Sequence, residues 1–252
     1  MRRVVALPCL LLSCIHADDL TGRLEVVLDP KCPLDRREGA VRELAKTRPG
    51  AEAVLKLAAD ARLPIELSLT AAQACATSED PDVRSLSAGV LPWPVSKERI
   101  PYPPISELLE TNGDPHRGSA VFRRAEGPNC IICHQVFEEG RVVGPPLTTI
   151  GSKLSREQLF EGILAPSASV LEGYENWVVR TTSGDIISGI KVEDTEDHVT
   201  LKDVQGEYVE IPLAAVSEAK QLALSIMPGD IAGSMTVQEL VDVVEYLSTL
   251  HY

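Results

Sequence analysis

Cations are in short supply in this chain. Its 24 Lys and Arg stand against 37 Asp and Glu, a net charge of -13 over 252 residues. A nucleic-acid groove or an anionic membrane surface needs the reverse, clustered cations, so neither is expected as a partner. Long apolar runs are also missing, and beyond the N-terminus no stretch is apolar enough to cross a bilayer. Cysteine is sparse: six residues are too few for a disulfide scaffold of this length, so their positions matter more than their number. What remains is 44% hydrophobic and 24% charged, the composition of an ordinary globular protein with material for two modest cores.

The N-terminus reads as an export signal over residues 1–17. Arg2 and Arg3 precede a mostly apolar run from Val4 to Ala17, which Asp18 and Asp19 end. The run is short for a membrane span but fits a signal core, with Ala17 as the small residue before cleavage. Leu11-Leu12-Ser13-Cys14 also has the form of a lipobox, which would lipidate Cys14 and tether the chain to a membrane. A third reading makes this segment a helix of a longer array. Either export reading places the protein in the periplasm or otherwise outside the cytoplasm.

Residues 18–92 carry short helical patterns. Pro33, Pro64 and Pro81 are each followed seven residues later by an alanine, Ala40, Ala71 and Ala88. Prolines at those places suit helix starts, and Val41, Leu44, Val54, Leu55 and Ala58 recur at helical spacing. The expectation is a HEAT-like stack of helical hairpins, with a plain helical bundle as the alternative. Pro92, Pro94, Pro101, Pro103 and Pro104 then make residues 93–104 a linker or a surface strap, and the domain boundary is placed there.

The chemistry is concentrated in Cys130-Ile131-Ile132-Cys133-His134. C-x-x-C-H is the attachment signal for covalent c-type haem. Each thiol adds to one porphyrin vinyl group, two intervening residues let both reach, and the adjacent histidine lies under the iron. A bare C-x-x-C could equally be a redox dithiol or half a zinc site, but no second C-x-x-C supplies the other half. Upstream, Asp114 to Glu126 is expected as a helix with Gly118 and Phe122 on one face. Downstream, Gly144-Pro145-Pro146-Leu147 is a carbonyl-rich turn, and a carbonyl there can accept the second imidazole N–H. Thr236 and Glu239 form a capping box opening a last helix that carries Val241, Val244, Tyr246 and Leu247. Gly118 would let that helix cross the first closely, with Phe122 and Tyr246 filling the contact. This is the element order of a class I cytochrome c.

Few side chains can serve as sixth ligand. Met227, before Pro228 in a loop ahead of the last helix, is the candidate. Met235 falls where a hydrophobic staple would place it and reads as packing. His116, His198 and His251 are expected to be solvated.

With these pieces assembled, residues 105–252 resemble the haem-binding c-type cytochrome domain found in Planctomycetes and Verrucomicrobia. The matching blocks are GDPHRGSAVF, CIICH, GPPLTTIGSKLSREQLFEGILAPSA, GYENWVV, SIMPGDI and VQELVDVVEYL. The resemblance implies Cys130 and Cys133 as thioether ligands of one haem c, His134 as proximal and Met227 as distal iron ligand. In that family the domain often ends a large dehydrogenase-like protein, after helical repeats similar to residues 20–92. This chain has no such catalytic module, and it carries GPPL where GPDL is usual, which bears on the backbone role of Pro145.

An insert of different texture interrupts this domain at about 174–216. Trp177–Thr182, Asp185–Val192, His198–Lys202 and Glu207–Ile211 are expected as four strands, with turns at Ser183-Gly184 and Gln205-Gly206. Alternation at Val199, Leu201, Val209 and Ile211 gives each strand one buried face. The insert is either a small β-barrel-like cover over a haem edge or a docking module for a redox partner. Trp177 would pack near the porphyrin or core the sheet.

The fold class expected is therefore mainly α with a small antiparallel β insert. The function expected is an exported mono-haem cytochrome, not an enzyme, passing single electrons between a dehydrogenase-type donor, or another cytochrome, and a respiratory acceptor. The alternative is a haem-containing interaction or sensor protein that binds its partner through the helical repeats. A peroxidase-like site would need distal acid–base groups and fits poorly. Cys32 and Cys75 are left over and could pair in an oxidising compartment. The acidity is uneven: residues 18–104 hold 12 basic and 14 acidic side chains, residues 105–252 hold 10 and 23. If the acidic face does more than solvate the domain, it would steer a partner with a basic patch.

Overall fold

The computed structural model describes residues 19–222 and 224–251. The expected export segment and Cys14 lie outside the described residues. The chain divides into two compact units, the first ending at Trp93 and the second beginning at Pro94. No helix among the described residues is long and apolar enough to cross a membrane.

The first unit is five helices: α1 (Leu20–Leu28), α2 (Leu34–Ala45), α3 (Arg48–Ala59), α4 (Ser68–Ala76) and α5 (Pro81–Val90). Their starts are set locally. Pro33 precedes α2, Pro64 precedes the 3-10 turn into α4, and Pro81 opens α5 behind an Asp80 cap. Thr47 caps α3, which begins so close to the end of α2 that a Cβ on Gly50 would lie 2.3 Å from the Leu44 carbonyl oxygen. α2 packs on α3 and α4 on α5 as two hairpins, which stack with α2 on α4 and α3 on α5, and α1 lies against α2. Val27, Val41, Leu44, Val54, Leu57, Leu67 and Ala71 form one core cluster; Ala45, Ala51, Leu55, Cys75 and Val83 form a second. Cys75 is a free, buried thiol, so it is not paired with Cys32.

The second unit begins with the proline-rich stretch, which is a strap along its surface. Val95 bridges Pro101, and buried Tyr102 places its hydroxyl 2.8 Å from Ala232 O and 2.9 Å from Met235 O. A short helix not anticipated from the sequence follows, α6 (Ile105–Glu110), anchored by buried Ile105 and Leu108. Next come α7 (Pro115–Arg123), α8 (Arg156–Leu164) and, at the end, α9 (Val237–Ser248). Capping boxes at Ser155/Gln158 and Thr236/Glu239 open α8 and α9. α7 stops at Arg123, three residues before the expected Glu126, because Gly127-Pro128 disfavours helix and Arg124 turns aside to pair with Glu239.

α7 and α9 cross in close contact. A Cβ on Gly118 would lie 1.9 Å from Asp242 O, so only glycine fits, and the Phe122 and Tyr246 rings meet at 5.6 Å between centroids. The buried Asp242 carboxylate accepts from Arg117 Nε (2.7 Å) and Nη2 (2.9 Å), Gln238 Nε2 (2.9 Å) and the Asp114 N–H (2.8 Å). Burial works to raise its pKa, but these hydrogen bonds outweigh burial and hold it below the usual carboxylate range.

The β insert has five strands rather than four: β1 (Asn176–Thr181), β2 (Ile186–Asp194), β3 (His198–Lys202), β4 (Tyr208–Pro212) and β5 (Val216–Gln221). The insert therefore runs to 221, past the expected 216. β5 escaped sequence reading because VSEAKQ is almost wholly exposed and lacks apolar alternation; main-chain pairing to β1 makes it a strand. All pairings are antiparallel, in the order β4-β3-β2-β1-β5. The two edge strands would stand about 19 Å apart in a flat sheet. Yet Pro212 of β4 and Val216 of β5 are joined by the 3-10 turn Leu213–Ala215, which reaches only about 10 Å. The sheet must therefore curl into a barrel-like form around Val179, Val199, Leu201 and Ile211.

A second departure concerns β3. Thr200 and Lys202, expected on a solvated face, are 7% and 6% exposed, so this strand is buried on both faces.

Candidate functional site

The C-x-x-C-H segment folds as a single tight turn. Asn129 takes a left-handed conformation (φ +44°) and starts a 3-10 turn over Cys130–Ile132. The Cys133 and His134 N–H groups both donate to Cys130 O, at 3.1 and 2.9 Å. This puts the two thiols and the imidazole on successive corners of one turn. Both thiols are free, so they are not bonded to one another. Burial pushes Cys130 up to about 12 and also raises Cys133. A thiol–disulfide or nucleophilic site works through a depressed thiol pKa, and this pair is shifted the other way.

His134 is positioned by the chain that follows it. Gly140, at φ +92°, turns the backbone so tightly that a Cβ there would meet His134 O at 2.4 Å. The returning loop then donates twice to Cys133 O, from Val143 N–H (3.0 Å) and Gly144 N–H (2.8 Å). Gly144 lies flat against the imidazole; a Cβ there would meet Cε1 at 2.6 Å and Nδ1 at 3.0 Å. One residue on, Pro145 O lies 2.8 Å from His134 Nδ1. A carbonyl can only accept, so Nδ1 carries the proton and Nε2 keeps its lone pair. Burial lowers the pKa of His134, which keeps the ring neutral near pH 7. Arg123 of α7 pairs with Glu139 at 2.8 Å and ties the helix to this loop.

The donor set fits the group implied by the motif: two adjacent unpaired thiols, and a neutral imidazole whose second nitrogen is fixed by a backbone acceptor. It does not fit a closed zinc site, since among the described residues no three or more Cys, His, Asp or Glu side chains are placed to hold one metal ion together.

Met227 lies in the loop between β5 and the 3-10 turn Ile231–Ser234, partly buried, and its N–H donates to Ser225 Oγ at 3.1 Å. Ser225 N–H in turn donates to Ser167 Oγ beyond α8. Cys130, Cys133, His134 and Pro145 thus form one connected cluster, and Met227 is held in a separate loop. Met235 is fully buried as packing. His116 and His251 are exposed, while His198 is partly covered and sits near Thr195 and Glu193. Trp177 packs on the sheet core with the Lys191 ammonium 4.0 Å from its ring centroid.

One participant was not legible in the sequence. The Lys202 ammonium of β3 donates to Val142 O, and Arg141 Nη1 donates to Gln205 O at 3.0 Å. The β insert is thereby hydrogen-bonded to the loop that carries Gly144 and Pro145. No local pattern announced this, because a lysine at an alternating strand position ordinarily points to water.

No family model matches the chain, and no curated protein does. Among solved structures, the crystal structure of SoxXA from P. pantotrophus is similar over 63% of this chain and 99% of that chain, at 18% identity and a TM-score of 0.32. A likeness of that degree carries no argument about this protein.

Proposed function

We propose that the second unit is a c-type cytochrome domain that carries one covalent haem and transfers single electrons. The observation that supports this most is the His134 Nδ1–H to Pro145 O hydrogen bond, next to two unpaired thiols within one turn. When bound, the haem supplies an iron that cycles between two oxidation states and so passes one electron at a time. Cys130 and Cys133 would hold it through thioether bonds, and His134 Nε2 and the Met227 thioether would be the ligands of its iron. Pro145 O fixes the tautomer and orientation of the imidazole, and Gly144 lets the backbone lie against the ring without displacing it. Ile132, Phe137 and Val142, close to the motif in sequence, are each about half exposed (49, 51 and 47%), and an apolar group bound there would cover apolar surface they leave open.

An export signal over residues 1–17 agrees with covalent haem attachment outside the cytoplasm. A basic redox partner, a dehydrogenase or another cytochrome, suits the acidic composition of residues 105–252. The stacked hairpins of the first unit support a second reading, HEAT-like repeats that bind a partner while the haem serves as a sensor.

Two experiments test this. Protein made in a host with cytochrome c maturation should stain for haem on a denaturing gel, and absence of stain overturns the proposal. The loaded protein should be low-spin and six-coordinate. Met227→Ala should render it high-spin and able to bind carbon monoxide, with electron transfer lost and partner binding kept only under the second reading. A wild-type protein that binds carbon monoxide readily overturns the Met227 assignment.

A further inference from the structure

Lys202 occupies a costly position. Its side chain is only 6% exposed, it forms no ion pair among the described residues, and burial depresses its pKa. A buried ammonium without a counter-charge is unfavourable unless hydrogen bonds offset its lost hydration, and here the Val142 carbonyl does so. The architecture around it is specific. Lys202 is the last residue of β3, and a Cβ on the neighbouring Gly189 of β2 would lie 2.4 Å from Lys202 O, so glycine is needed for the strands to close there. The ammonium reaches out of the sheet to Val142 O, with the Tyr174 ring centroid 6.0 Å away. Two residues beyond Lys202's partner, the N–H of Gly144 donates to Cys133 O, and three beyond it Pro145 O meets the histidine. Arg141, the residue before Val142, is fastened to Gln205 in the β3–β4 turn, and Gly206 of that turn faces Val143. Three consecutive residues, 141–143, are thus held by the β insert immediately before the segment that orients His134.

We propose that Lys202 is a positioning residue: its ammonium clamps the Arg141–Val143 segment, so that the β insert sets where Pro145 O stands relative to His134 Nδ1. The insert then regulates the histidine rather than merely covering it. Any load on the sheet, such as a bound partner, is transmitted to the imidazole through a backbone path of three residues. This rests on the reading of His134 as an iron ligand, although the clamp itself is a property of the chain.

The test is hydrogen exchange on full-length protein produced in a host with cytochrome c maturation, comparing wild type, Lys202→Met and Lys202→Arg. In Lys202→Met, exchange of the Val143 and Gly144 amides and of the His134 Nδ1–H should accelerate about tenfold or more, the scale expected for loss of a hydrogen bond to a charged donor. Exchange in α9 should stay unchanged. Lys202→Arg, which keeps a cation able to reach Val142 O, should restore slow exchange. Unchanged exchange at these three sites overturns the proposal, as does an acceleration that α9 shares in full. Should Lys202→Met fail to fold, Arg141→Ala removes the exposed half of the clamp, and normal protection at Val143 and Gly144 in that variant overturns it equally. Missing haem stain in the wild type would refute the cytochrome reading alone, because amide exchange is measurable with or without the cofactor.

Discussion

Replacing Gly144 by alanine tests the site most directly. The new methyl group would stand 2.6 Å from His134 Cε1, 3.0 Å from Nδ1 and 3.1 Å from Nε2, against the Cε1 corner of the ring. Carbon atoms rest at about 3.5–4.0 Å, so the overlap at Cε1 is on the order of 1 Å. Gly144 does not sit at positive φ, so the penalty is steric and not conformational. Overpacking of this kind costs about 1–3 kcal/mol. Relief requires the imidazole to move, which breaks its bond to Pro145 O and adds about 1 kcal/mol. The expected loss is thus about 2–4 kcal/mol in the second unit, or a fall in its Tm of roughly 4–16 °C. Differential scanning calorimetry measures this, and the electronic spectrum of the loaded protein should show a disturbed histidine ligand. Gly162→Ala in α8 is the control: nothing lies within 4 Å of its Cβ, and it should stabilise by about 0.5–1 kcal/mol. Equal stability and an unchanged spectrum in Gly144→Ala would refute the packing argument.

Asp242→Ala should cost about 1–3 kcal/mol, because it strips Gln238 and the Asp114 N–H of a shared buried acceptor while the half-exposed Arg117 keeps Asp114; urea unfolding measures it. Arg117→Met should cost at least as much, since it leaves the buried Asp242 carboxylate without its cation and with neutral donors only. The pKa of Asp242 is lower folded than unfolded, so its contribution is present above the ordinary aspartate value and is lost as pH falls through the folded one. Asp242→Asn should therefore flatten the acid limb of the stability curve below about pH 4. Cys75, buried and pushed up to about 11, should resist thiol reagents in native protein and react on unfolding. Rapid labelling under native conditions would show that its burial in the first unit is wrong.

Legibility followed the range of the forces. The capping boxes at Ser155 and Thr236, the prolines ahead of α2, α4 and α5, and the turn glycines Gly184 and Gly206 act through hydrogen bonds and dihedral limits within a few residues. Their signatures are correspondingly local. The α7–α9 crossing was legible as well, although it is long-range, because a glycine and two aromatics at helical spacing leave few other packings. Strand β5 and the end of α7 were not, since neither is decided by its own residues: one is made by pairing to β1, the other by the turn of Arg124 toward Glu239.

The same division separates what belongs to the sequence alone from what belongs to the folded chain. The spacing of Cys130, Cys133 and His134 keeps two thiols and an imidazole within about 14 Å even in an extended chain, and the turn at Asn129 with its hydrogen bonds to Cys130 O brings them together. The sequence also determined which helices begin where, and that the domain around the motif is acidic. Tertiary structure alone decided that β3 would be buried on both faces, that Tyr102 would dock on a loop 130 residues away, and that Lys202 would reach a carbonyl 60 residues distant. Those are contacts between elements whose local sequences do not mention each other. Their energy comes from excluding water jointly, and that exists only once both sides are in place.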